Sequence, residues 1–337
     1  DYDLVSGDPE GFFERHPRRV IIDEAQRFPR LFDVLRGRID GEQGKGRFVL
    51  TGSAHPGLLR GAGDSLAGRI GVIELAPFGV AEIRARPEAV RDRWFWGGYP
   101  PLYSLRSASQ RTAWLDNYIR AFLERDIPSL GFHIAPPRLR KLWTMLAHVH
   151  GGLLNISDLA RALDLTPASV AHHLDILEGA FVIRRLPPYH ANISKRLVKR
   201  PKVYIRDSGL YHHIAGLRSG SELDTWPRRG QSWEGYLIEE LIRRARLRWT
   251  SPSFSFYRTS AGAETDLVIE SGATRIAIEI KAGATLDTRS LLGIRQCMTD
   301  LDIRKAFVIY RGDRRLSVGR GLDAVPWSSL ERGGFPA

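Results

Sequence analysis

Two carboxylates, Asp266 and Glu279, have the spacing that most directly suggests chemistry in this sequence. Alternating apolar residues on either side of a turn-forming stretch predict an antiparallel hairpin here. If residues 271–274 form the turn, Glu270 lies opposite Arg275 and Asp266 lies directly opposite Glu279. Opposed residues have Cβ atoms about 5 Å apart, so these two carboxylates repel unless a cation lies between them. Mg²⁺ is the expected cation, because it prefers oxygen ligands.

Lys281 adds a positive charge to the same predicted site. Side chains alternate along a strand, so Lys281 projects from the same face as Glu279. An ammonium group beside a bound metal could orient a water molecule or stabilise a phosphorane. The three residues together therefore predict a metal-dependent phosphodiester chemistry.

A second group of polar residues follows two short apolar stretches near the start of the chain. The first stretch ends in Asp23-Glu24 and the second in Thr51-Gly52-Ser53. In a parallel α/β sheet the carboxyl ends of neighbouring strands meet at one edge, where the chemistry is done. An acidic pair there can hold Mg²⁺ and polarise the attacking water in phosphoryl transfer. Taken alone, the pair is also compatible with an ordinary strand end or helix cap.

Two further motifs follow these strands, SLAGR at 65–69 and LAPF at 75–78. This order resembles a large family of bacterial and archaeal AAA-type ATPases whose C-terminal domain is of unknown function, and the resemblance covers essentially the whole chain. It implies ATP and Mg²⁺ as cofactors. It implies Asp23 and Glu24 as the Walker B pair, Thr51 or Ser53 as the γ-phosphate sensor, and Arg69 as a phosphate-sensing residue that could act across the subunit boundary of an oligomer.

The glycine-rich phosphate loop, G-x-x-x-x-G-K-[ST], does not occur in this sequence. The nearest approach, GEQGKG at 41–46, has glycine where the magnesium-binding hydroxyl is needed and follows the acidic pair instead of preceding it. We interpret it as a surface turn. The phosphate loop is expected upstream of Asp1.

The middle of the chain predicts a helical lid and then a winged helix-turn-helix. Aromatic residues at helical spacing in residues 84–135 predict the lid on the ATPase. Thr166-Pro167 supplies an N-cap and a first-turn proline for a second helix of the helix-turn-helix. Apolar residues at 181–183 and 203–205 predict the two strands of the wing.

The predicted wing is strongly basic, with no acidic residue between 184 and 202. Such a stretch could bind DNA phosphates while a helix enters the major groove. Alternatively, the module is a rigid connector whose basic wing docks on an acidic surface of a partner protein or neighbouring domain. The basic residues are Arg184, Arg185, Lys195, Arg196, Lys199, Arg200 and Lys202.

From residue 234 onward the predicted order is α-β-β-β-α-β. This order, with Asp266, Glu279 and Lys281, resembles the restriction-endonuclease-like PD-(D/E)xK superfamily, although threonine precedes Asp266 where that motif has proline. The resemblance implies Glu234 as a third acidic metal ligand. The alternative is a solvated sheet face, where Glu279 and Lys281 pair with neighbouring charges such as Arg258 and Glu264 in an inactive domain.

Composition bounds these interpretations. The chain has a net charge of +12, the sign expected of a protein that meets phosphate backbones, although its basic residues are so largely arginine that a GC-rich genome would explain the bias equally well. No run of 18 apolar residues occurs, which argues against a membrane-spanning protein. A single cysteine, Cys297, and the lack of a charged-then-apolar leader predict a soluble cytoplasmic protein.

The sequence therefore predicts an α/β multidomain protein. Its parts are a partial P-loop AAA-type ATPase core at 1–83, a helical lid at 84–135, a winged helix at 136–215 and a nuclease-like domain at 216–337. The predicted function is ATP-dependent action on DNA with Mg²⁺-dependent phosphodiester chemistry. The alternative is an ATP-dependent DNA- or protein-binding switch whose last domain only recognises its target.

Overall fold

The computed structural model describes residues 2–25, 28, 30–41, 45–52, 66–83, 87–129, 132, 134–189, 197–331 and 335. Helices and short strands alternate along the chain, the mixed α/β composition that the sequence predicts. The α-helices are α1 (Tyr2–Gly7), α2 (Pro9–Arg15), α3 (Leu31–Gly41), α4 (Val80–Ile83), α5 (Pro87–Trp96), α6 (Ala108–Ala121), α7 (Ile127–Ser129), α8 (Pro136–His148), α9 (Ile156–Leu163), α10 (Pro167–Gly179), α11 (Ser208–Ile214), α12 (Gly220–Thr225), α13 (Arg229–Arg248), α14 (Leu292–Asp300) and α15 (Trp327–Glu331). The strands are β1 (Val20–Ile22), β2 (Phe48–Leu50), β3 (Gly152–Leu153), β4 (Ile183–Leu186), β5 (Lys202–Ile205), β6 (Ser253–Arg258), β7 (Glu264–Ser271), β8 (Thr274–Ile280), β9 (Ala306–Tyr310), β10 (Leu316–Gly319) and β11 (Leu322–Pro326). Within the described residues, no helix is both long enough and apolar enough to cross a bilayer.

The N-terminal segment contains a small β-α-β unit. β1 and β2 pair in parallel with Val20 opposite Phe48, and α3 connects them. Leu31 and Leu35 of α3 pack in a core with Phe13 of α2. Because the strands are parallel, the residues that follow them reach the same edge of the sheet, as the sequence predicts.

The aromatic residues of α6 form a core, and among the described residues this core is separate from that of the β1–β2 unit. Trp114 stacks on Tyr118, and Phe122 stacks on Trp143 of α8 with ring centroids 5.3 Å apart. The core that Phe122 joins extends from α6 to Tyr211 in α11. The helices predicted as a lid on the ATPase therefore pack on the middle segment, because α8 presents a fully buried apolar stripe to them.

The middle segment, residues 136–205, combines three helices with a small sheet. α8, α9 and α10 pack beside β3, β5 and β4, which pair antiparallel in that order. Thr166 is the N-cap of α10, and its hydroxyl accepts a hydrogen bond from the backbone N–H of Ser169 at 3.1 Å. Pro167 occupies the first turn, as predicted.

The C-terminal domain is built around a six-stranded sheet in the order β10-β11-β9-β8-β7-β6. Helices cover both faces of the sheet. Leu267 and Ile278 pack with α13 on one face, whereas Val268 and Ala277 pack with α14 on the other. The elements from α13 to β9 follow the α-β-β-β-α-β order expected from the sequence.

The middle segment docks on this domain along α13 and β6. Tyr204 of β5 is buried in the core that contains α13. The residues after β4 and before β5 pair with β6, since Tyr189 N–H donates to the carbonyl of Phe256 at 2.7 Å and Val198 N–H donates to the carbonyl of Arg258 at 3.0 Å. The described ends of the β4–β5 connection, at Tyr189 and Val198, therefore meet the edge of the large sheet.

A buried ion-pair network reinforces this docking. Glu239 of α13 binds Arg184 of β4 through both carboxylate oxygens, and its Oε2 also accepts from Nε of Arg206 at 3.0 Å. Burial acts to raise the pKa of Glu239, but the charges and hydrogen bonds of the two arginines outweigh it and lower the pKa to about 2. Arg206 also binds Glu74, which ties the preceding segment to the same place.

We expect Glu239→Gln to lower the free energy of unfolding at pH 7 by about 3–5 kcal/mol, because it leaves the partly buried Arg184 without its anion and Arg206 with Glu74 alone. The folded-state pKa of Glu239 lies below its unfolded value, so its contribution is complete above about pH 4.5 and is lost as the pH falls towards 2. Urea unfolding followed by tryptophan fluorescence at pH 7, 5 and 3.5 measures this difference. Asp313→Asn, at an exposed residue, serves as the control. A pH-independent difference between the Glu239 variant and the unmodified protein would contradict the assignment.

Candidate active site

β7 and β8 bring together the two carboxylates that the sequence places opposite each other. Their ladder pairs Glu270 with Arg275, the register expected from the sequence, and by the same count Asp266 lies opposite Glu279. Oδ2 of Asp266 accepts a hydrogen bond from the backbone N–H of Ile280 at 2.8 Å. Asp266 and Glu279 are each only 7% exposed.

Lys281 lies beside Glu279, as side-chain alternation predicts. Its ammonium donates to Oε1 of Glu279 at 2.6 Å. Among the described residues, the buried Oε2 of Glu279 has no hydrogen-bond partner. Arg258 and Glu264 pair with each other at 2.9 Å. The alternative of a solvated sheet face therefore does not describe Glu279, whose carboxylate is removed from water.

A second lysine, Lys202, enters this site from the middle segment. We refer to Glu234, Glu264, Asp266 and Glu279 as the carboxylate cluster. Nζ of Lys202 lies 2.8 Å from Oε1 of Glu234, 2.5 Å from Oε1 of Glu264 and 3.6 Å from Oδ1 of Asp266. Lys202 is 2% exposed. Its ammonium therefore lies among the carboxylates.

Sequence reasoning assigned Lys202 to DNA phosphates or, alternatively, to an acidic docking surface, and it placed Tyr204 in a wing strand without a role in a site. The hydroxyl of Tyr204 donates to Oε1 of Glu234 at 2.6 Å, so both residues of β5 contact the same carboxylate. Lys202 and Tyr204 are two residues apart in an extended strand, which places them on one face. That alternation was visible in the sequence, but nothing there indicated that Glu234 would face it.

The carboxylate cluster holds more negative charge than its cations neutralise. Burial raises the pKa of Asp266 well above its usual range, and the charges of Glu279 and Glu234 add to the rise. Burial also raises the pKa of Glu279 to about 7, although Lys281 opposes it. Burial acts to lower the pKa of Lys202, but Glu234 and the other acidic neighbours hold it well above its usual value. The cluster therefore favours additional positive charge.

The cluster has donors suited to Mg²⁺ but is not arranged as a metal cage. Carboxylate oxygens are the ligands that Mg²⁺ prefers. Oε2 of Glu279, which has no hydrogen-bond partner among the described residues, is available as a metal ligand inside the cluster. Of the described residues, however, no three His, Cys, Asp or Glu side chains form a group that could hold a metal ion. Lys202 contacts two of the three predicted ligands, Glu234 and Asp266. The carboxylates therefore have the chemistry that Mg²⁺ prefers, but the structure groups them around the ammonium of Lys202.

The predicted phosphate-binding stretch is largely committed to contacts within the chain. Lys202 is buried in the carboxylate cluster, and Arg184 is paired with Glu239. Arg185 binds Asp175 at 2.7 Å and Glu178 through its Nε at 2.6 Å. The expectation that these three contact phosphates is therefore corrected, because their charges are already matched by carboxylates. Lys199 and Arg200 are exposed, whereas Lys195 and Arg196 lie outside the described residues.

The AAA-type edge brings together some of the residues predicted for it. The hydroxyl of Thr51 donates to Oδ1 of Asp23 at 2.5 Å, and Ala25 N–H donates to the carbonyl of Thr51 at 3.1 Å. Glu24 follows with a positive φ of 53°, which turns the chain sharply after β1. Ser53 lies outside the described residues. Asp23 and Thr51 are therefore neighbours at the carboxyl ends of β1 and β2.

Arg69 does not join Asp23 and Thr51 in this structure. It binds both carboxylate oxygens of Asp40, with its Nε 2.5 Å from Oδ1 and a terminal nitrogen 3.0 Å from Oδ2. Asp40 lies near the C-terminal end of α3. This helix connects the parallel strands β1 and β2, so it runs in the opposite direction to them and ends near the edge of the sheet where β2 begins. Arg69 therefore lies towards the opposite edge from Asp23. The expectation that it senses phosphate beside the acidic pair is not met within one chain.

Comparison with known families divides the chain into three matched regions. Residues 3–84 match an AAA domain, residues 87–221 match a domain of unknown function (DUF8612), and residues 229–330 match a domain of unknown function (DUF4143). The AAA-domain match confirms the AAA-type prediction for the N-terminal segment. Similar curated proteins are "Uncharacterized protein Rv2008c" of Mycobacterium tuberculosis and "Uncharacterized protein Mb2031c" of Mycobacterium bovis. Each is 40% identical over 309 residues, which cover 91% of this chain and 68% of the relative.

We expect the 337 residues of this chain to bind ATP only weakly, with a dissociation constant above the micromolar range. The reason is that no G-x-x-x-x-G-K-[ST] loop is present among them to hold the phosphates. Asp23 acts on a nucleotide through Mg²⁺ that the phosphates themselves help to hold. Isothermal calorimetry with ATP and Mg²⁺ measures the affinity, and Asp23→Asn should leave the weak signal unchanged. Micromolar binding that Asp23→Asn abolishes would contradict this expectation.

Proposed function

Because the chain belongs to the family of AAA-domain proteins that includes these two mycobacterial relatives, we propose that it acts on DNA through a Mg²⁺-dependent phosphodiesterase centre in an ATP-dependent manner, and that its 337 residues supply only part of the ATP site. One observation carries the proposal. Asp266, Glu279 and Lys281 meet at one end of the β7–β8 hairpin, with Glu234 reaching the same place from α13.

Two features of the fold support this function. The order α13, β6, β7, β8, α14, β9 resembles that of a restriction-endonuclease-like domain, in which carboxylates such as Asp266 and Glu279 would form the active site. The middle segment, with three helices and antiparallel strands in the order β3-β5-β4, resembles a winged helix. A winged helix next to a phosphodiesterase centre would position DNA for it.

The roles of the site residues follow from their chemistry. Glu234, Asp266 and Glu279 would hold the metal through carboxylate oxygens. Bound Mg²⁺ would supply a Lewis acid that polarises the phosphate and activates water. Lys281 would orient the water molecule and stabilise negative charge that develops on the phosphate, since its ammonium already lies 2.6 Å from Glu279.

ATP would act at the other end of the chain. Asp23 would hold the Mg²⁺ of the nucleotide, Glu24 would polarise the attacking water, and Thr51 would sense the γ-phosphate. The hydrogen bond between Thr51 and Asp23 supports this assignment, because it links the sensor strand to the acidic pair. Arg69 would contribute only if nucleotide binding or a second subunit moved it away from Asp40.

A non-catalytic coupling role is the second candidate, and Lys202 favours it. A buried ammonium in the carboxylate cluster, together with Arg184 and Arg206 on Glu239, is what a rigid connector docked on an acidic surface would need. In this coupling role, a conformational change driven by ATP would be transmitted by the middle segment to the C-terminal domain. That domain would bind DNA or a partner protein without cleaving its target.

We expect Asp266→Asn to abolish both metal binding and cleavage, because it removes a metal-ligating charge. Lys281→Ala should retain the metal and slow cleavage by about 10²–10³-fold, because a lysine acts on the transition state and not on coordination. The measurements are Mn²⁺ binding by electron paramagnetic resonance and nicking of plasmid and single-stranded DNA in the presence of ATP. Lys305→Ala is the control, since Lys305 is exposed and outside the cluster. Metal-dependent cleavage that survives Asp266→Asn would refute the site, and no cleavage by the unmodified protein would favour the coupling role.

We expect DNA binding by the wing to involve at most four phosphates, because three of the seven basic residues are paired within the chain. The log–log slope of affinity against salt concentration should then be about −3 to −4. Charge reversal at Lys199 and Arg200 should reduce that slope by about 2, whereas reversal at Lys305 should not change it. Fluorescence anisotropy with duplex DNA at several salt concentrations measures the slope. A slope near zero in the unmodified protein would support the connector instead.

A further inference from the structure

Lys202 places a buried ammonium among the carboxylates to which the proposed function assigns a metal ion. It contacts Glu234 at 2.8 Å, Glu264 at 2.5 Å and Asp266 at 3.6 Å, and it is 2% exposed. Glu279 completes the cluster with a buried oxygen that has no hydrogen-bond partner among the described residues. A cation from another part of the chain therefore pairs with three carboxylates of the cluster, and one carboxylate oxygen of Glu279 is still available as a metal ligand.

The position of Lys202 depends on the docking of the middle segment. Lys202 opens β5, the central strand of the small sheet. A few residues earlier, Val198 N–H donates to the carbonyl of Arg258 in β6. A few residues later, Arg206 binds Glu239 of α13. The ammonium can leave the carboxylates only if β5 shifts along or away from the C-terminal domain, or if the lysine side chain turns out of its buried position.

We propose that Lys202 is an internal cation that closes the carboxylate cluster to Mg²⁺ while the middle segment is docked, and that its withdrawal opens the metal site. The inference rests on the proposed function, since it assumes that the cluster is a metal site. It adds a control to that function: DNA or nucleotide binding that displaces β5 would permit metal entry, and the docked state would be inactive.

Competition for the same oxygens is the physical basis of this closure. Mg²⁺ binds its ligands at about 2.0–2.1 Å and requires near-octahedral geometry. Lys202 lies against Glu234 and Asp266, two of the three proposed ligands, at hydrogen-bonding or ion-pair distance. An ammonium and a divalent cation repel at such separations in a buried site. Lys281 contacts only Glu279 and leaves its Oε2 without a hydrogen-bond partner among the described residues, whereas Lys202 contacts Glu234 and Asp266 together. We therefore expect Lys202, and not Lys281, to exclude the metal.

The test replaces Lys202 with methionine, which keeps an unbranched, flexible side chain that is one atom shorter and removes its charge. We expect Lys202→Met to bind Mn²⁺ at least 10-fold more tightly than the unmodified protein, as measured by electron paramagnetic resonance. Mn²⁺ should also raise the melting temperature of the variant more than that of the unmodified protein. Lys305→Met, at an exposed lysine of the C-terminal domain, should match the unmodified protein in both measurements.

Removal of a buried cation can itself prevent folding, so a charge-balanced variant accompanies it. Lys202→Met with Glu264→Gln removes one cation and one anion from the cluster and leaves Glu234, Asp266 and Glu279 unchanged. Circular dichroism reports whether each variant is folded. The double variant should also bind Mn²⁺ at least 10-fold more tightly than the unmodified protein.

The outcomes separate this inference from the proposed function. Tighter Mn²⁺ binding with faster DNA cleavage supports both. Tighter binding without cleavage supports closure by Lys202 and contradicts the phosphodiesterase function. Unchanged Mn²⁺ affinity in the folded variants overturns the closure, even if the unmodified protein cleaves DNA. If neither Lys202 variant folds, the lysine is a permanent structural cation and the proposal is also overturned.

Discussion

Burial of carboxylates along one helix is the constraint on which the arrangement of this chain depends. α13 carries three glutamates that are largely removed from water, and a buried carboxylate is tolerated only when cations or hydrogen-bond donors match it. The partners come from different parts of the chain, so satisfying them fixes how those parts lie together. The contacts are Glu234 with Lys202 and Tyr204, Glu239 with Arg184 and Arg206, and Glu240 with Arg243, Arg244 and the backbone N–H of Val80.

This constraint changes the meaning of the basic middle segment. A net charge of +12 suggests a protein surface that binds the phosphates of DNA, but some of the basic side chains are paired with carboxylates inside the protein. Arg184 and Lys202 match acids of α13, and Arg185 matches acids of α10. The middle segment is therefore joined to the C-terminal domain electrostatically as well as through the apolar contacts of Tyr204. Movement of one part would have to break or carry these ion pairs.

The two candidate sites differ in how they meet solvent. Asp23 and Thr51 lie at an exposed strand edge, where a nucleotide could approach without rearrangement of the chain. Asp266 and Glu279 are buried beneath a lysine from another segment, so a substrate or metal reaches them only after a change in structure. The proposed function therefore requires a change in structure at the second site, which ATP would have to bring about.

Local patterns in the sequence were sufficient for much of the fold and for one half of the site. The hairpin register followed from apolar alternation and turn position, which set Glu270 opposite Arg275 and so placed Asp266 beside Glu279. The start of α10 followed from Thr166-Pro167, because capping depends on neighbouring residues. The resemblance of the first 84 residues to an AAA domain depended on motifs whose order is local as well.

Only the tertiary structure decided where the charges of the middle segment point. Lys202 and Glu234 are 32 residues apart, and Arg184 and Glu239 are 55 apart. A run of basic residues without acids has the same composition whether it faces DNA or a carboxylate on a distant helix. Isolated cations prefer water, and the sequence left open whether these residues bind DNA or dock on an acidic surface. Their burial became favourable only when the fold brought a matched set of carboxylates to them, and no pattern of neighbouring residues records that pairing.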